Sequence, residues 1–173
     1  MFSGMDAGLL AIEKSSLSFS YEFAIDNNEE CEKLLKSRYG PKRWEKDVTK
    51  VVIATLPYVD IFVWGAPCQP LSRLSLRLGI SDKRGLLAVF AMEYIVAKKP
   101  RCTLMENVKA FATQFSELFM WIILTLQANG YKVTWQIMYT DQHGVPQSRP
   151  RTYLLATWLL LTLFIPLLVH FST

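Results

Sequence analysis

Cys68 sits in GAPCQPLS (65–72), between Pro67 and Pro70 and directly after the apolar run DIFVW. A thiolate is a strong nucleophile, so a thiol held on a stiff loop suits covalent addition to an electrophilic carbon. The plainer reading is a packed cysteine, since free cysteine is among the most buried residue types. Against it, the two prolines stiffen the loop and remove backbone donors, and Gln69 and Ser72 add polarity where a buried hydrophobe would have none.

Three other stretches offer complementary chemistry. Glu106 and Asn107 form a polar pair near the end of CTLMENV (102–108), suited to proton handling or, structurally, to a helix cap or an ion pair. QSRPR (147–151) sets Arg149 and Arg151 two apart, on one face of an extended segment, where they could bind a phosphate or a carbonyl oxygen or solvate a surface. FSGMDAG (2–8) sets Gly4 and Gly8 around a turn into LLAIEK. Glycines let a backbone approach a ligand closely, and a helix N-terminus offers unpaired N–H donors; the same pattern also makes a tight strand-to-helix turn. Asp26, closing FSYEFAID (19–26), is placed to accept hydrogen bonds from ribose hydroxyls, at about the distance from the turn that a nucleoside site requires. The turn lacks a full G-x-G-x-x-G, so a diphosphate is less needed.

The elements that must position these groups alternate between apolar runs and helical stretches, the pattern of a mostly parallel sheet with crossover helices. Residues 19–26 and 59–65 read as strands. Residues 28–40 read as a helix, with Cys31, Leu34 and Leu35 on one side and Gly40 as its stop. Residues 84–100 form a second helix ended by Lys98, Lys99 and Pro100. A short buried strand follows at 102–108, then one long apolar helix over 110–130, then strands at 131–139 and 152–158. The expectation is a single α/β sheet domain, and in such sheets ligands bind beyond the carboxyl ends of the strands. FSGMDAG, Asp26, Cys68 and Glu106 all fall at such ends.

Composition agrees. The chain has 173 residues, 51% hydrophobic and 13% aromatic, enough for one domain with a sizeable core and inconsistent with disorder. A net charge of +4 is compatible with a polyanionic partner without requiring one. Three scattered cysteines (Cys31, Cys68, Cys102) make neither a disulfide framework nor a zinc site, which implies a reducing compartment and no metal. No secretory signal is visible, because Asp6 and Glu13 interrupt any apolar region near the N-terminus. The other end is an uncharged run, YLLATWLLLTLFIPLLVHFST, near the lower length limit for a membrane span and containing Pro166. Three readings stand for it: a core strand followed by a non-native tail, a tail anchor, or a buried hairpin.

Taken in order, the motifs resemble those of the cytosine-C5 methyltransferases. FSGMDAG is similar to the family's F-x-G-x-G-G, with Asp6 and Ala7 in place of its second and third glycines. AID (24–26) resembles the segment ending in the ribose-binding acid, and KDVT (46–49) the next motif. GAPCQPLS carries the P-C-Q loop, DKRG (82–85) resembles the segment after it, ENVKAF (106–111) the E-N-V motif, and GVPQSRPR (144–151) Q-x-R-x-R. The match runs from residue 2 to about residue 156.

The resemblance implies a Rossmann-like α/β fold of the class I S-adenosylmethionine (SAM)-dependent methyltransferases, with helices on both faces of the sheet and truncated at both ends. It implies a catalytic domain over 1–158 followed by an apolar tail at 159–173. It also implies a reaction. Cys68 adds to cytosine C6, Glu106 holds or protonates N3, Arg151 contacts O2 with Arg149 in support, and C5 takes a methyl group from SAM. The target base is flipped out of its stack, in DNA or, in one branch of the family, in tRNA. Phe2, Ser3, Gly4, Gly8, Asp26, Asp47, Val48 and Pro67 are the implied SAM contacts, with Asp47 at the adenine amino group. The implied location is intracellular, nuclear in a eukaryote and otherwise cytoplasmic. Two pieces of the family pattern are not matched: a central first strand before Phe2, and a target-recognition region with two final motifs. The competing classes are therefore a non-catalytic SAM- or partner-binding module and, on the tail alone, a membrane-anchored protein.

Overall fold

The computed structural model describes residues 7–65, 85–144 and 146–159. After the helix α1 (Ala7–Lys14) comes a parallel pair of short strands, β1 (Phe23–Ile25) and β2 (Arg43–Glu45), joined by the helix α2 (Glu29–Arg38). Asn28 starts α2: its Oδ1 accepts the N–H groups of Glu30 and Cys31, which satisfies two of the free donors of the first turn. The helix stops before Gly40, whose φ of +57° is the left-handed conformation that favours glycine. Leu35 is buried on its inner side, whereas Leu34, expected beside it, is exposed. Consecutive residues lie about 100° apart on a helix, and the narrow contact of α2 takes only one of them.

The second sheet holds β3 (Ile61–Trp64), β4 (Cys102–Val108), β5 (Tyr131–Tyr139) and β6 (Pro150–Trp158), in the order β3-β4-β6-β5. β3 and β4 are parallel, and β6 runs antiparallel between β4 and β5. The sheet is therefore mixed, because the last strand in sequence inserts between two earlier ones. The 84–100 stretch forms α3 (Gly85–Lys98). The long helix expected over 110–130 is two helices, α4 (Lys109–Thr113) and α5 (Ser116–Ala128). The N–H groups of Gln114 and Phe115 both turn back to the carbonyl of Ala110, which ends α4, and Phe111 then meets Phe119 edge-on at 6.0 Å across the break.

Register decides which side of this sheet is buried. Phe62 and Trp64, Thr103, Met105 and Asn107, and Thr152, Leu154 and Ala156 lie on one face, all buried. They pack with α3, α4 and α5 into one core that also takes Phe23 and Ile25 from the first sheet. The polar members of that face are satisfied: Trp64 Nε1 donates to Thr103 Oγ1, which donates to the Phe62 carbonyl. The opposite face carries Leu104, Glu106, Arg151, Tyr153 and Leu155, all half-buried.

The expectation of one continuous sheet is not met. Among the described residues β1 pairs only with β2, and β3 only with β4. Between the two sheets lies a cavity of about 400 Å³, lined by Leu9 and Ile12 of α1, Phe23 of β1, and Ile61 and Val63 of β3. It lies between the strands that would flank the central first strand of the resembled fold. The two sheets are bridged instead by side chains: Tyr94 of α3 packs on Phe23 at 5.3 Å and on Phe62 at 4.5 Å.

Candidate active site

The candidate residues that the structure describes fall at the carboxyl ends of parallel strands or beside them. Gly65 directly follows β3 and lies against Glu106 of β4. A Cβ on Gly65 would stand 3.0 Å from the Glu106 carbonyl oxygen and 3.9 Å from Glu106 Oε2. A side chain here would crowd the β4 backbone, so a glycine lets β3 close against β4, and the GAPCQPLS loop starts from that contact. Cys68 and Pro67 lie outside the described residues, as do Phe2, Ser3 and Gly4.

Glu106 points to the half-buried face, where Arg151 Nε lies 2.9 Å from its Oε1. The pairing follows from register: Val108 faces Arg151 and Glu106 faces Tyr153 across the β4–β6 ladder. A guanidinium held this way fixes the carboxylate and leaves further N–H donors to meet an acceptor. Arg151 also donates from Nη1 to the Pro150 carbonyl. Arg149, exposed and just before β6, donates its backbone N–H to Thr140 Oγ1, whose hydroxyl donates to the Gln147 carbonyl. Thr140 thus pins the QSRPR segment at Gln147 and Arg149.

Burial pushes the Tyr153 phenol above its ordinary range, the nearby Glu106 carboxylate adds to this, and Arg151 and Arg149 oppose it. These influences place one phenol, one carboxylate and two guanidinium groups in one neighbourhood. Tyr153 and Thr140 are the participants that the motifs did not single out. Tyr153 was findable as the residue two beyond Arg151, on the same face; nothing local marks Thr140.

Asp26 and Asp47 belong to the other sheet. Asp26 follows β1, donates its N–H to the Glu45 carbonyl and accepts the Asn28 N–H on Oδ1. Asp47 lies just beyond β2 and caps a short 3-10 turn, accepting the Thr49 hydroxyl and N–H on Oδ1. Those two bonds, and then Lys50, hold its carboxyl below the usual range. Two carboxylates at neighbouring strand ends are acceptors of the kind that ribose hydroxyls and an adenine amine require. Val48 follows Asp47 and is buried in the core. Gly8 lies in the first turn of α1.

The other two cysteines are poor nucleophiles. Burial raises the Cys102 thiol, and burial with Asp26 and Glu30 nearby raises that of Cys31, so both stay protonated. Among the described residues no group of His, Cys, Asp and Glu could hold a metal ion, and no helix is long and apolar enough to cross a membrane.

Asp26 and Asp47 thus lie beyond the ends of the two-stranded sheet. The Arg151–Glu106 pair lies on the half-buried face of the mixed sheet, against Gly65, in an α/β architecture of the kind that group-transfer enzymes use. The chain belongs to the C-5 cytosine-specific DNA methylase family, whose profile matches residues 1–159. The type II methyltransferase M.NgoBV of Neisseria gonorrhoeae is 31% identical over 89% of this chain and 39% of its own length. M.HhaI of Haemophilus parahaemolyticus is 29% identical over 90% of this chain and 47% of its own. Among solved structures, the Dnmt2 methyltransferase of S. pombe matches at a TM-score of 0.74 and 22% identity, over 91% of this chain and 49% of that one. The Entamoeba histolytica methyltransferase EhMeth matches at 0.72 and 24%, over 90% and 51%. The fold is that of the class I SAM-dependent methyltransferases. The chain spans half or less of the length of these curated relatives.

Proposed function

We propose that this chain carries the catalytic half of a cytosine-C5 methyltransferase that acts on DNA through a covalent Cys68 adduct. The observation that carries the reading is the Glu106–Arg151 pair, 2.9 Å apart, set against the glycine from which the Cys68 loop departs. Cytosine C5 is a poor nucleophile until a thiolate adds to C6 and makes the ring enamine-like. Cys68 supplies the thiolate. Glu106 meets N3 and Arg151 meets O2, where negative charge develops as the thiolate adds, and Arg149 raises the positive potential around them. Reaching the target atom requires a base extruded from its stack.

Asp26 and Asp47 hold the cofactor, the first through ribose hydroxyls and the second through the adenine amine, with FSGMDAG approaching it by backbone. S-adenosylmethionine bound there supplies the electrophilic methyl group that the activated C5 takes up. Loss of the C5 proton then frees Cys68 by elimination.

Covalent trapping tests the reading. A 5-fluorocytosine oligonucleotide has no C5 proton to lose, so with SAM it should leave an adduct on Cys68 that Cys68→Ala abolishes. The resemblance includes a branch acting on tRNA, so tRNA carrying the same base is run beside DNA. Trapping on tRNA alone reassigns the substrate. No adduct with either leaves the non-catalytic module as the reading.

A further inference from the structure

β5 forms the outer edge of the mixed sheet: β6 lies on one side of it, and no described strand lies on the other. The Leu159 N–H donates to the Gly130 carbonyl, and the register then aims the backbone groups of Lys132, Thr134, Gln136 and Met138 at β6. Those of Val133, Trp135 and Ile137 point the other way, and nothing among the described residues pairs with them. Native edges are ordinarily blunted by a proline, a bulge, several charges or a short length. β5 has nine residues, an unbroken register with β6, no proline and one charged residue, Lys132. Trp135, at its centre, is 50% exposed although it meets Phe119 of α5 edge-on at 5.1 Å.

We propose that β5 pairs antiparallel with β5 of a second copy of this chain, about a two-fold axis at Trp135, so that two mixed sheets continue into one. The strand is its own complement in this register. Trp135 faces Trp135 and Val133 faces Ile137, and each such pair exchanges two N–H···O bonds, about six across the contact. Aromatic and β-branched residues are the cross-strand pairs that stabilise a ladder. Thr134 faces Gln136 and Lys132 faces Met138, so the one charge of the strand meets no like charge. The ladder stops short of Tyr131, which is buried. The same edge serves both copies, so the contact closes at two. A foreign extended peptide would have to bring a matching complement, which a second copy already carries.

Such an axis stands perpendicular to the sheet, so each face of one copy continues into the same face of the other. α5 packs on the face that carries Trp135, and both copies of this helix then flank the axis, with Met120, Trp121 and Leu124 exposed. On the other face, Lys132 of the second copy stands opposite Met138, which itself stands opposite Arg151. Two strand spacings, about 10 Å, separate the backbones of that lysine and Arg151. Each copy therefore adds a positive charge to the face on which its neighbour holds the Glu106–Arg151 pair, where a polyanionic substrate would meet it. A single strand pair makes a small interface, so the dimer forms and parts reversibly.

Sedimentation equilibrium of the full chain tests the pairing. Between about 5 and 200 μM the weight-average mass should rise by at least about 1.5-fold, as a small interface requires. Trp135→Lys sets two ammonium groups against each other on the axis and should hold the mass at one chain. Oxidative cross-linking tests the register. The α-carbons of Trp135→Cys in the two copies would lie about 5.5 Å apart, within disulfide reach, and those of Lys132→Cys about 20 Å apart. The first variant should therefore give a link between its two introduced thiols in roughly tenfold higher yield than the second. A single-chain mass at every concentration, equal yields at 132 and 135, or growth beyond two chains would overturn the proposal. So would an undiminished mass rise in a folded Trp135→Lys. Should that variant not fold, the unmodified chain and the cross-linking ratio decide without it.

Discussion

Arg151 keeps 18% of its side chain in water and Glu106 keeps 45%, so their ion pair is largely screened on one side. Such pairs contribute roughly 1 kcal/mol or less, and the reason to hold them together lies in what they face. Arg151→Gln should therefore lower stability in urea by no more than about 1 kcal/mol while abolishing the Cys68 adduct. Gly65 behaves oppositely. Its Cβ position is blocked by a strand carbonyl, which cannot swing aside as a side chain would. Gly65→Ala should cost about 1–3 kcal/mol in urea denaturation and also suppress the adduct, because the Cys68 loop starts there. A third residue effect depends on pH. The hydroxyls of Tyr94 and Tyr131 donate to the carbonyls of Pro57 and Pro100, and burial pushes both phenols well above the ordinary 10.0. An acid whose pKa is raised by folding contributes fully below its unfolded value and loses that contribution above it. Urea stability should thus begin to fall as the pH rises through about 9, where the Cys31 and Cys102 thiols of the unfolded chain ionise, and fall further above pH 10, the second fall being less steep in Tyr94→Phe.

At the scale of elements, Asn28 offers the cleanest test. Its side chain caps α2 and its N–H anchors Asp26, so Asn28→Ala should cost about 1 kcal/mol by thermal or urea unfolding. Legibility also differs by element. β4 and β5 have the bounds read from sequence, because apolar runs of strand length end there in polar or turn residues. β2 was invisible, since RWE is three half-buried residues with no period to detect. The break between α4 and α5 was hidden because the hydrophobic pattern runs on through Phe115, and only the turn back to Ala110 interrupts the helix. For the site, each of Glu106, Arg149 and Arg151 was legible in its motif. Their meeting was not, because it depends on a ladder between residues more than forty apart.

For the whole molecule, the cavity divides a core that is otherwise shared. β1 and β2 pair over only three residues each, and a two-stranded sheet is marginal without support from packing. Native-state hydrogen exchange should show it: the Ala24 and Trp44 amides should open more readily than those of Met105 and Leu154, by a factor of about a hundred. Equal protection at all four would mean that the rings around Tyr94 weld the two sheets into one cooperative unit.

The position of β6 has a consequence for when the protein can fold. Synthesis delivers β4, then β5, and only after both the strand that separates and joins them. Until residues 150–158 have left the ribosome, β5 has no partner among the described strands and β4 presents an open edge on the side away from β3. The β5–β6 ladder joins consecutive strands, whereas the β4–β6 ladder joins residues more than forty apart, which is the slow kind of pairing. A chain stalled before Pro150 exposes Val133, Trp135 and Ile137 on an unpaired strand, the kind of edge that other chains add to. Arg151 thus reaches its partner Glu106 only after β5 has been made, and nascent chains that wait for β6 are candidates for chaperone capture.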